Sequence, residues 1–136
     1  MNNYYEVCVR YCNAIDETVK SHFIIEALSF ADAEEKAYND VVVYGGTDAE
    51  VLAVKRSNVE EIISSNAQDY KFFKAKYSII NVNEKTGKEK KTTLYILLQA
   101  ESIDNARDMF YDAAKSWVSD IVLESISETK LVDYIK

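Results

Sequence analysis

The chain has 136 residues, of which 48% are apolar and 29% charged, with three glycines and no proline. This composition fits one compact domain, or two small units that share a core, and it excludes a disordered or collagen-like chain. Sixteen basic and 23 acidic side chains give a formal net charge of −7. That charge disfavours a surface that binds nucleic acid or an anionic membrane as a whole, but it is compatible with a local basic patch.

The cysteines and the apolar segments predict a cytoplasmic protein without membrane association. Residues 1–6 lack the basic stretch and the apolar run of about 7–15 residues that form a secretory signal. The longest strongly apolar run, residues 94–98, is far shorter than the roughly 20 residues of a membrane-spanning helix. Cys8 and Cys12 lie on one predicted strand, about 13 Å apart at ~3.3 Å per residue, whereas a disulfide requires Cα atoms within roughly 7 Å. We therefore expect free thiols.

The first half of the chain predicts three strands, one helix and a short element that the pattern does not assign to helix or strand. In chain order these are strands over residues 4–14 and 22–28, a helix over residues 30–41, a strand over residues 51–55 and the short element over residues 59–63. A polar turn at residues 16–18 predicts that the first two strands form a β-hairpin. Ser29 is a candidate helix N-cap, and Gly45 followed by Gly46 ends the helix.

The second half repeats this order. Its elements cover residues 71–82, 91–100, 103–117, 121–126 and 131–135, with a turn at residues 84–88. Four residues of the first half recur 73 positions later with the same residue type, namely Ala27, Ser29, Ala33 and Tyr38 as Ala100, Ser102, Ala106 and Tyr111. Chance recurrence of a common element order is the alternative, but the nearly constant offset favours an ancestral duplication.

The predicted fold class is α+β, with tandem duplicated ββαβ(β) units and approximate internal two-fold symmetry. Each unit has an antiparallel sheet with one helix packed on one face. The first repeat covers residues 1–68 and the second residues 69–136, with a polar junction at residues 64–68. Because a unit of about 65 residues is marginal alone, we expect one compact structural domain. The predicted helix-facing residues are Tyr5, Val7, Val9, Phe23 and Ile25 in the first repeat, and Phe73, Ala75, Tyr77, Ile96 and Leu98 in the second.

Known catalytic and metal-binding patterns are missing from the sequence. His22 is the only histidine, and no serine lies in a G-x-S-x-G motif. If the first hairpin turns about Glu17, Cys12 faces His22, but two ligands do not complete a zinc site. Residues 45–48 lack the lysine of a phosphate-binding loop. We therefore predict no catalytic residue, no metal and no cofactor, and a protein that is not an enzyme.

A lysine-rich hairpin in the second repeat is the most informative feature for function. Its returning arm carries about five residues more than its counterpart, because the offset between the repeats grows from 68 to 73. The candidate nucleic-acid-binding residues are Lys74, Lys76, Lys85, Lys88, Lys90, Lys91 and Tyr95, with Phe72 as a further ring for base stacking. The alternative is that exposed lysines protect the strands from aggregation. Residues 1–68 carry a net charge of −7 and residues 69–136 a net charge of zero, which leaves the second repeat compatible with a polyanion.

Three segments carry a resemblance to a known family: YYEVCVRY at residues 4–11, EALSFADAE at residues 26–34 and ESISETK at residues 124–130. They resemble an uncharacterised family, a domain of unknown function, of small proteins from Bacteroides-type bacteria and their phages, including crAss-like phages. The resemblance runs along nearly the whole chain. It implies a cytoplasmic protein of a gut bacterium or its phage, and it carries over no active-site residue.

We expect a non-enzymatic binding or adaptor module whose partner is another protein or a second copy of the chain. Tyr44, Tyr70 and Tyr95 are candidates for an exposed aromatic contact surface. The alternative function is a nucleic-acid-binding accessory protein that uses the lysine-rich hairpin. A third hypothesis is an enzyme or ligand receptor with a cleft between the repeats.

Overall fold

A computed structural model describes residues 3–65, 70–117 and 120–136 of the chain. The elements within these residues are β1 (Tyr4–Cys12), β2 (Thr18–Glu26), α1 (Phe30–Val43), β3 (Thr47–Arg56), β4 (Val59–Ile63), β5 (Lys71–Val82), β6 (Glu89–Ala100), α2 (Ile103–Ala114), β7 (Asp120–Glu128) and β8 (Leu131–Ile135). The predicted α+β class and the repeated ββαβ order are confirmed. The short element over residues 59–63, which the sequence left unassigned, is the strand β4. Residues 66–68 of the predicted junction lie outside the described residues.

The chain forms two units, each with a four-stranded sheet. Unit 1 comprises Met1–Ser57 and Lys130–Lys136, and unit 2 comprises Asn58–Thr129. The strand order is β3-β1-β2-β8 in unit 1 and β4-β6-β5-β7 in unit 2. The last strand of each repeat therefore belongs to the sheet of the other repeat, where β8 runs parallel to β2 and β4 runs parallel to β6. The spatial units differ in this respect from the sequence repeats.

Short links explain why β4 does not complete its own sheet. Ser57 and Asn58 alone connect β3 to β4, so the Cα atoms of Arg56 and Val59 lie at most about 11 Å apart. To pair with the free edge of β2 in the sheet of its own repeat, β4 would have to lie three strand spacings from β3, which is about 14 Å. β4 cannot reach that edge, and the equally short link between β7 and β8 imposes the same limit on β8.

The cores lie between each helix and its sheet, as the alternating pattern predicts. In unit 1 the buried side chains are Tyr5, Val7, Val9, Phe23 and Ile25 of the sheet and Ala33, Ala37 and Val41 of α1. In unit 2 they are Phe73, Ala75, Tyr77, Ile96 and Leu98 of the sheet and Ala106 and Phe110 of α2. The expectation of a single buried face per sheet is incomplete. Ile24, Phe72 and Leu97 alternate with the helix-facing residues and are still at most 1% exposed.

Both helices begin with the same capping arrangement. In α1 the Ser29 hydroxyl accepts a hydrogen bond from the Asp32 N–H at 3.1 Å, and the Asp32 carboxylate accepts one from the Leu28 N–H at 2.9 Å. In α2, Ser102 and Asn105 make the equivalent bonds at 3.1 and 3.2 Å. These reciprocal bonds satisfy N–H groups that a helix start leaves without partners. The predicted N-cap at Ser29 is confirmed, and Ser102, the residue 73 positions later, caps α2 in the same way.

The first hairpin turns about Ile15, so the register predicted from a turn at Glu17 is wrong. The side-chain oxygen of Asn13 accepts hydrogen bonds from the N–H groups of Ile15 and Glu17, at 3.1 and 2.9 Å. Asp16 adopts a left-handed φ of 64°, which aspartate tolerates better than most residues. Cys8 therefore pairs with His22, in place of the predicted pairing of Cys12 with His22.

We expect the Phe110→Ala change to lower the free energy of unfolding by about 3–5 kcal/mol, because it removes a fully buried ring from unit 2. Phe110 packs against Tyr77 and Trp117, with ring centroids 5.4 and 5.7 Å away. Urea unfolding followed by circular dichroism measures the change. Tyr111→Ala removes a ring that is 51% exposed and serves as the control, with a loss below about 1 kcal/mol. Equal losses in the two variants would contradict the assigned core.

Candidate functional site

The hairpin of β5 and β6 is longer than its counterpart in unit 1. Its strands have 12 residues each, against nine in β1 and in β2. Asn83 begins the turn, where its side chain accepts hydrogen bonds from the N–H groups of Lys85 and Thr86 at 2.9 and 3.3 Å. Tyr5–Ile25 in unit 1 and Phe73–Leu98 in unit 2 are equivalent cross-strand pairs. Counted from these pairs to the turn, the hairpin of unit 2 has two more cross-strand pairs than that of unit 1, and its turn is one residue longer. Two pairs lengthen the hairpin by about 7 Å.

The tip of this hairpin extends past the neighbouring strands. Within the described residues, β7 pairs with β5 as far as Ile80, and β4 pairs with β6 from Tyr95 onward. We call residues 81–91 the basic ribbon. Its lysines, all exposed, are Lys85, Lys88, Lys90 and Lys91. None of the four forms an ion pair with another residue in the described part of the chain.

The remaining predicted site residues gather further along the same sheet. The Lys74 ammonium lies 4.7 Å from the centre of the Tyr95 ring, and Lys76 pairs directly with Tyr95 across the strands. These three residues lie on the face of the sheet opposite α2. Along β6, Tyr95 is four residues from Lys91, which is about 13 Å at ~3.3 Å per residue. The seven predicted residues thus form two groups and no single patch. Phe72 is 1% exposed and cannot stack on a base, which corrects its prediction as a stacking ring.

A second surface, which the sequence patterns do not reveal, lies at the end of unit 1 where the β1–β2 turn meets the C-terminus of α1. A Cβ built on Gly45 would lie 3.9 Å from the Cβ of Ala14, which places the two turns side by side. We call this surface the acidic end of unit 1. Its residues are the exposed side chains Ile15, Asp16, Glu17, Val43, Tyr44 and Asp48. Tyr44 is 67% exposed, as expected for a candidate aromatic contact.

Two carboxylates of the acidic end lie close to the Cys12 thiol. Cys12 donates a hydrogen bond to the Asp16 carboxylate at 3.2 Å. This bond raises the pKa of Cys12, partial burial adds to the rise, and the negative charges of Asp16 and Asp48 act in the same direction. A raised pKa keeps the thiol protonated, so Cys12 is a poor nucleophile at neutral pH.

The only histidine lies near the other cysteine but does not complete a metal site. The Cys8 sulfur and the His22 Nε2 atom are 4.0 Å apart. Burial lowers the pKa of His22, and the positive charges of Lys20 and Lys130 add to this effect. Across the described ranges, no three side chains of the His, Cys, Asp and Glu types are grouped to hold an ion. A lone thiol and imidazole leave a zinc ion without half of its usual ligands.

A shallow groove of about 280 Å³ lies between α2 and β7 of unit 2. Its lining residues are Ile103, Asp104, Arg107, Leu123, Glu124, Ser125 and Ile126. Arg107 and Asp104 form an ion pair with each other at 3.5 Å. Glu124 is a second carboxylate, so the lining carries a net charge of −1 and has no cation beyond the paired Arg107.

The strand exchange changes the distribution of charge. Unit 1 carries seven basic and eleven acidic side chains, a net charge of −4, and unit 2 carries nine basic and twelve acidic ones, a net charge of −3. The contrast of −7 and zero between the sequence halves is therefore nearly absent between the spatial units. It disappears because β4 brings Glu60 and Glu61 to unit 2, while the C-terminal segment brings Lys130 and Lys136 to unit 1. The basic character is local to the hairpin.

These features define an α+β protein with two sheet-and-helix units, a projecting basic ribbon and an acidic end. The chain belongs to the family described as a domain of unknown function, DUF4494, whose model matches residues 3–136. No curated protein and no solved structure matches the chain. Among the helices of the described residues, none is long and apolar enough to cross a membrane.

Two further carboxylates influence each other where α1 meets β8. Burial raises the pKa of Asp40 on α1 and of Asp133 on β8 above the ordinary 3.8, and the charge of Asp133 raises that of Asp40 further. Folded unit 1 therefore binds these protons more tightly than the unfolded chain does. Their contribution to stability is complete below pH 3.8 and is lost as the pH rises through the raised values.

We expect Asp133→Asn to raise the free energy of unfolding at pH 7 by up to about 1 kcal/mol, because it removes the repulsion between two carboxylates. This is the usual size of the interaction between two partly solvated charges. Asparagine retains the side-chain oxygen that accepts the Tyr134 N–H at 2.8 Å. Thermal unfolding across pH 3 to 8 measures the effect, and the gain over the unchanged chain should vanish near the acid limit. Glu35→Gln, on the exposed side of α1, is the control. A gain that is the same at every pH would contradict the charge effect.

Proposed function

We propose that this protein is a non-enzymatic binding module, an adaptor, that contacts an acidic protein surface through the basic ribbon. The observation that carries the proposal is the projection of the exposed Lys85, Lys88 and Lys90 beyond the neighbouring strands of unit 2, with the exposed Lys91 at the level of the last β5–β7 pair. Unit 1 forms the same type of sheet with a hairpin two pairs shorter, so the extension is not needed for folding. The fold does not require this element, and the element places cations in solvent that pair with no carboxylate among the described residues. Such an element suits recognition.

The charges of the ribbon favour a protein over a nucleic acid as partner. Glu84 and Glu89 alternate with the lysines, and a protein surface can offer cations to these carboxylates whereas a phosphate backbone cannot. Both units are also net negative, which opposes the approach of a polyanion. An acidic protein surface with a few interspersed cations matches this pattern.

A photo-crosslinking experiment tests the proposal. Benzoylphenylalanine replaces Thr86 at the tip of the ribbon, or Lys115 at the end of α2 as the control, and both variants are irradiated in the cells that produce the protein natively. We expect discrete protein adducts from position 86 that are absent from position 115, and their loss when Lys88, Lys90 and Lys91 are changed to glutamine. Mass spectrometry identifies the adducts. Equal adducts from both positions, or none from position 86, would refute the ribbon as the contact element.

A second candidate, nucleic-acid binding, is supported by the group of Lys74, Lys76 and Tyr95. An aromatic ring beside two lysines is the arrangement that single-strand binders use for stacking and phosphate contact. The Lys74 ammonium lies 4.7 Å from the centre of the Tyr95 ring, so a cation and a half-buried aromatic ring are already held together at this position.

For this second candidate we expect retention of labelled single-stranded RNA or DNA that weakens steeply with salt. Lys74→Ala and Lys76→Ala together should remove about 1.4 units of the slope of log K against log salt, at ~0.7 per phosphate. The matched control changes two lysines of unit 1, namely Lys20 and Lys55, to alanine. Retention that is absent, insensitive to salt or equally weakened by the control set would exclude this function. A fluorescence anisotropy titration at several salt concentrations gives the slopes.

We infer a cytoplasmic setting in a Bacteroides-type bacterium or its phage. The inference is supported by the likeness of residues 4–11, 26–34 and 124–130 to proteins of that origin. Cys8 and Cys12 are both free thiols, as is usual in a reducing compartment. Localisation of the tagged full chain by cell fractionation would test the compartment.

A further inference from the structure

We propose that the acidic end of unit 1 binds the basic ribbon of a second copy of this chain, so that copies associate head to tail. The inference rests on the proposed function, because it names the acidic protein surface that the ribbon contacts. Both surfaces are exposed in the single chain. Because they are different patches, the contact is heterologous, and repetition of it gives rings or filaments.

The first support is the apolar character of the acidic end. Ile15, Val43 and Tyr44 are 72%, 76% and 67% exposed. Large apolar side chains grouped on a surface are typical of an interaction site. The ribbon offers an apolar counterpart in Val82, which is 59% exposed.

The second support comes from comparison of the two repeats. At the end of α1 the positions of Val42 and Val43 correspond, 73 residues later, to Lys115 and Ser116 at the end of α2. In unit 2 the helix ends at Ala114, and the chain continues through these two positions as a turn with polar side chains. The fold does not require exposed valines there, so their presence in unit 1 calls for another explanation.

The third support is charge complementarity. Residues 11–19 and 37–54, which contribute the acidic end, contain no lysine or arginine but include Asp16, Glu17 and Asp48. The last turn of each helix lacks a basic residue, but the C-cap position is Lys115 in α2 and the uncharged Tyr44 in α1. A helix C-terminus carries partial negative charge and favours a nearby cation. The lysines of a second copy's ribbon would supply that cation and pair with the three carboxylates.

A pair of neutralised variants tests the contact. The ribbon variant carries Lys88→Gln, Lys90→Gln and Lys91→Gln, and the end variant carries Asp16→Asn, Glu17→Gln and Asp48→Asn. Asparagine suits positions 16 and 48 because both have left-handed φ angles, of 64° and 54°. Each variant keeps the surface that the other has lost. A 1:1 mixture can therefore form one contact per pair but cannot extend further.

Sedimentation velocity over a range of protein concentrations is the measurement. We expect the unchanged chain to associate at about 50 mM NaCl and to dissociate near 500 mM, because exposed charge pairs are screened by salt. Each variant alone should remain at the chain mass of 15.5 kDa. The mixture should give a species of twice that mass, which also shows that both variants are folded.

Three results would overturn the inference. They are an unchanged chain that is monomeric at every concentration, a variant that still associates alone, and a mixture without the 1:1 species. If crosslinks from position 86 reach only a different protein, the head-to-tail contact is refuted while the proposed adaptor function stands. If the ribbon gives no specific crosslink at all, the proposed function fails as well.

Discussion

Each sheet depends on a strand that the other repeat contributes. β8 pairs with β2 through residues more than 100 positions apart in sequence, and β4 closes the edge of β6. Both pairings are parallel, and the two-residue links before β4 and β8 are too short for these strands to reach the open edge of their own repeat's sheet. The short connections after β3 and β7 therefore decide which residues form a unit. The exchange also redistributes charge between the units, because β4 and β8 bring their charged side chains into the unit whose sheet they complete.

The duplication gives an internal comparison of what the fold requires. Residues that build the fold are retained in type, as in the capping serines Ser29 and Ser102 and the buried alanines Ala33 and Ala106. Surface positions differ. Unit 1 exposes Leu28 where unit 2 has Glu101, and Val42 where unit 2 has Lys115. Since both repeats form the same elements, these differences reflect demands other than folding, and the one at Val42 lies beside the acidic end that we assign to recognition.

The edges of the sheets narrow the ways in which such a protein can bind. The strand at each edge, β3, β8, β4 and β7, has a register irregularity against its neighbour. Bulges and twisted edges hinder the addition of a further strand. The hairpin of β5 and β6 has no such shift between its own strands. A regular, projecting ribbon binds through its side chains, which is why charge and exposure are the properties that decide its partner.

Local patterns determined most of the elements, the two helix caps and the helix-facing residues, because each depends on residues a few positions apart. Alternation identified Tyr5, Val7 and Val9 as core, and serine followed by an acceptor identified the helix starts. The register of the first hairpin was not accessible in this way. It depends on the side chain of Asn13 and on the left-handed conformation of Asp16, which composition does not reveal.

The sequence by itself determined the class, the duplication and the presence of a lysine-rich hairpin. Only the tertiary structure decided that β4 and β8 are exchanged between the repeats and that the seven candidate residues form two groups. It also decided that acidic and apolar side chains meet at one end of unit 1. The reason is physical. Helices, turns and alternation follow from neighbouring residues, whereas strand partners and surfaces depend on segments that meet only when the sheets close.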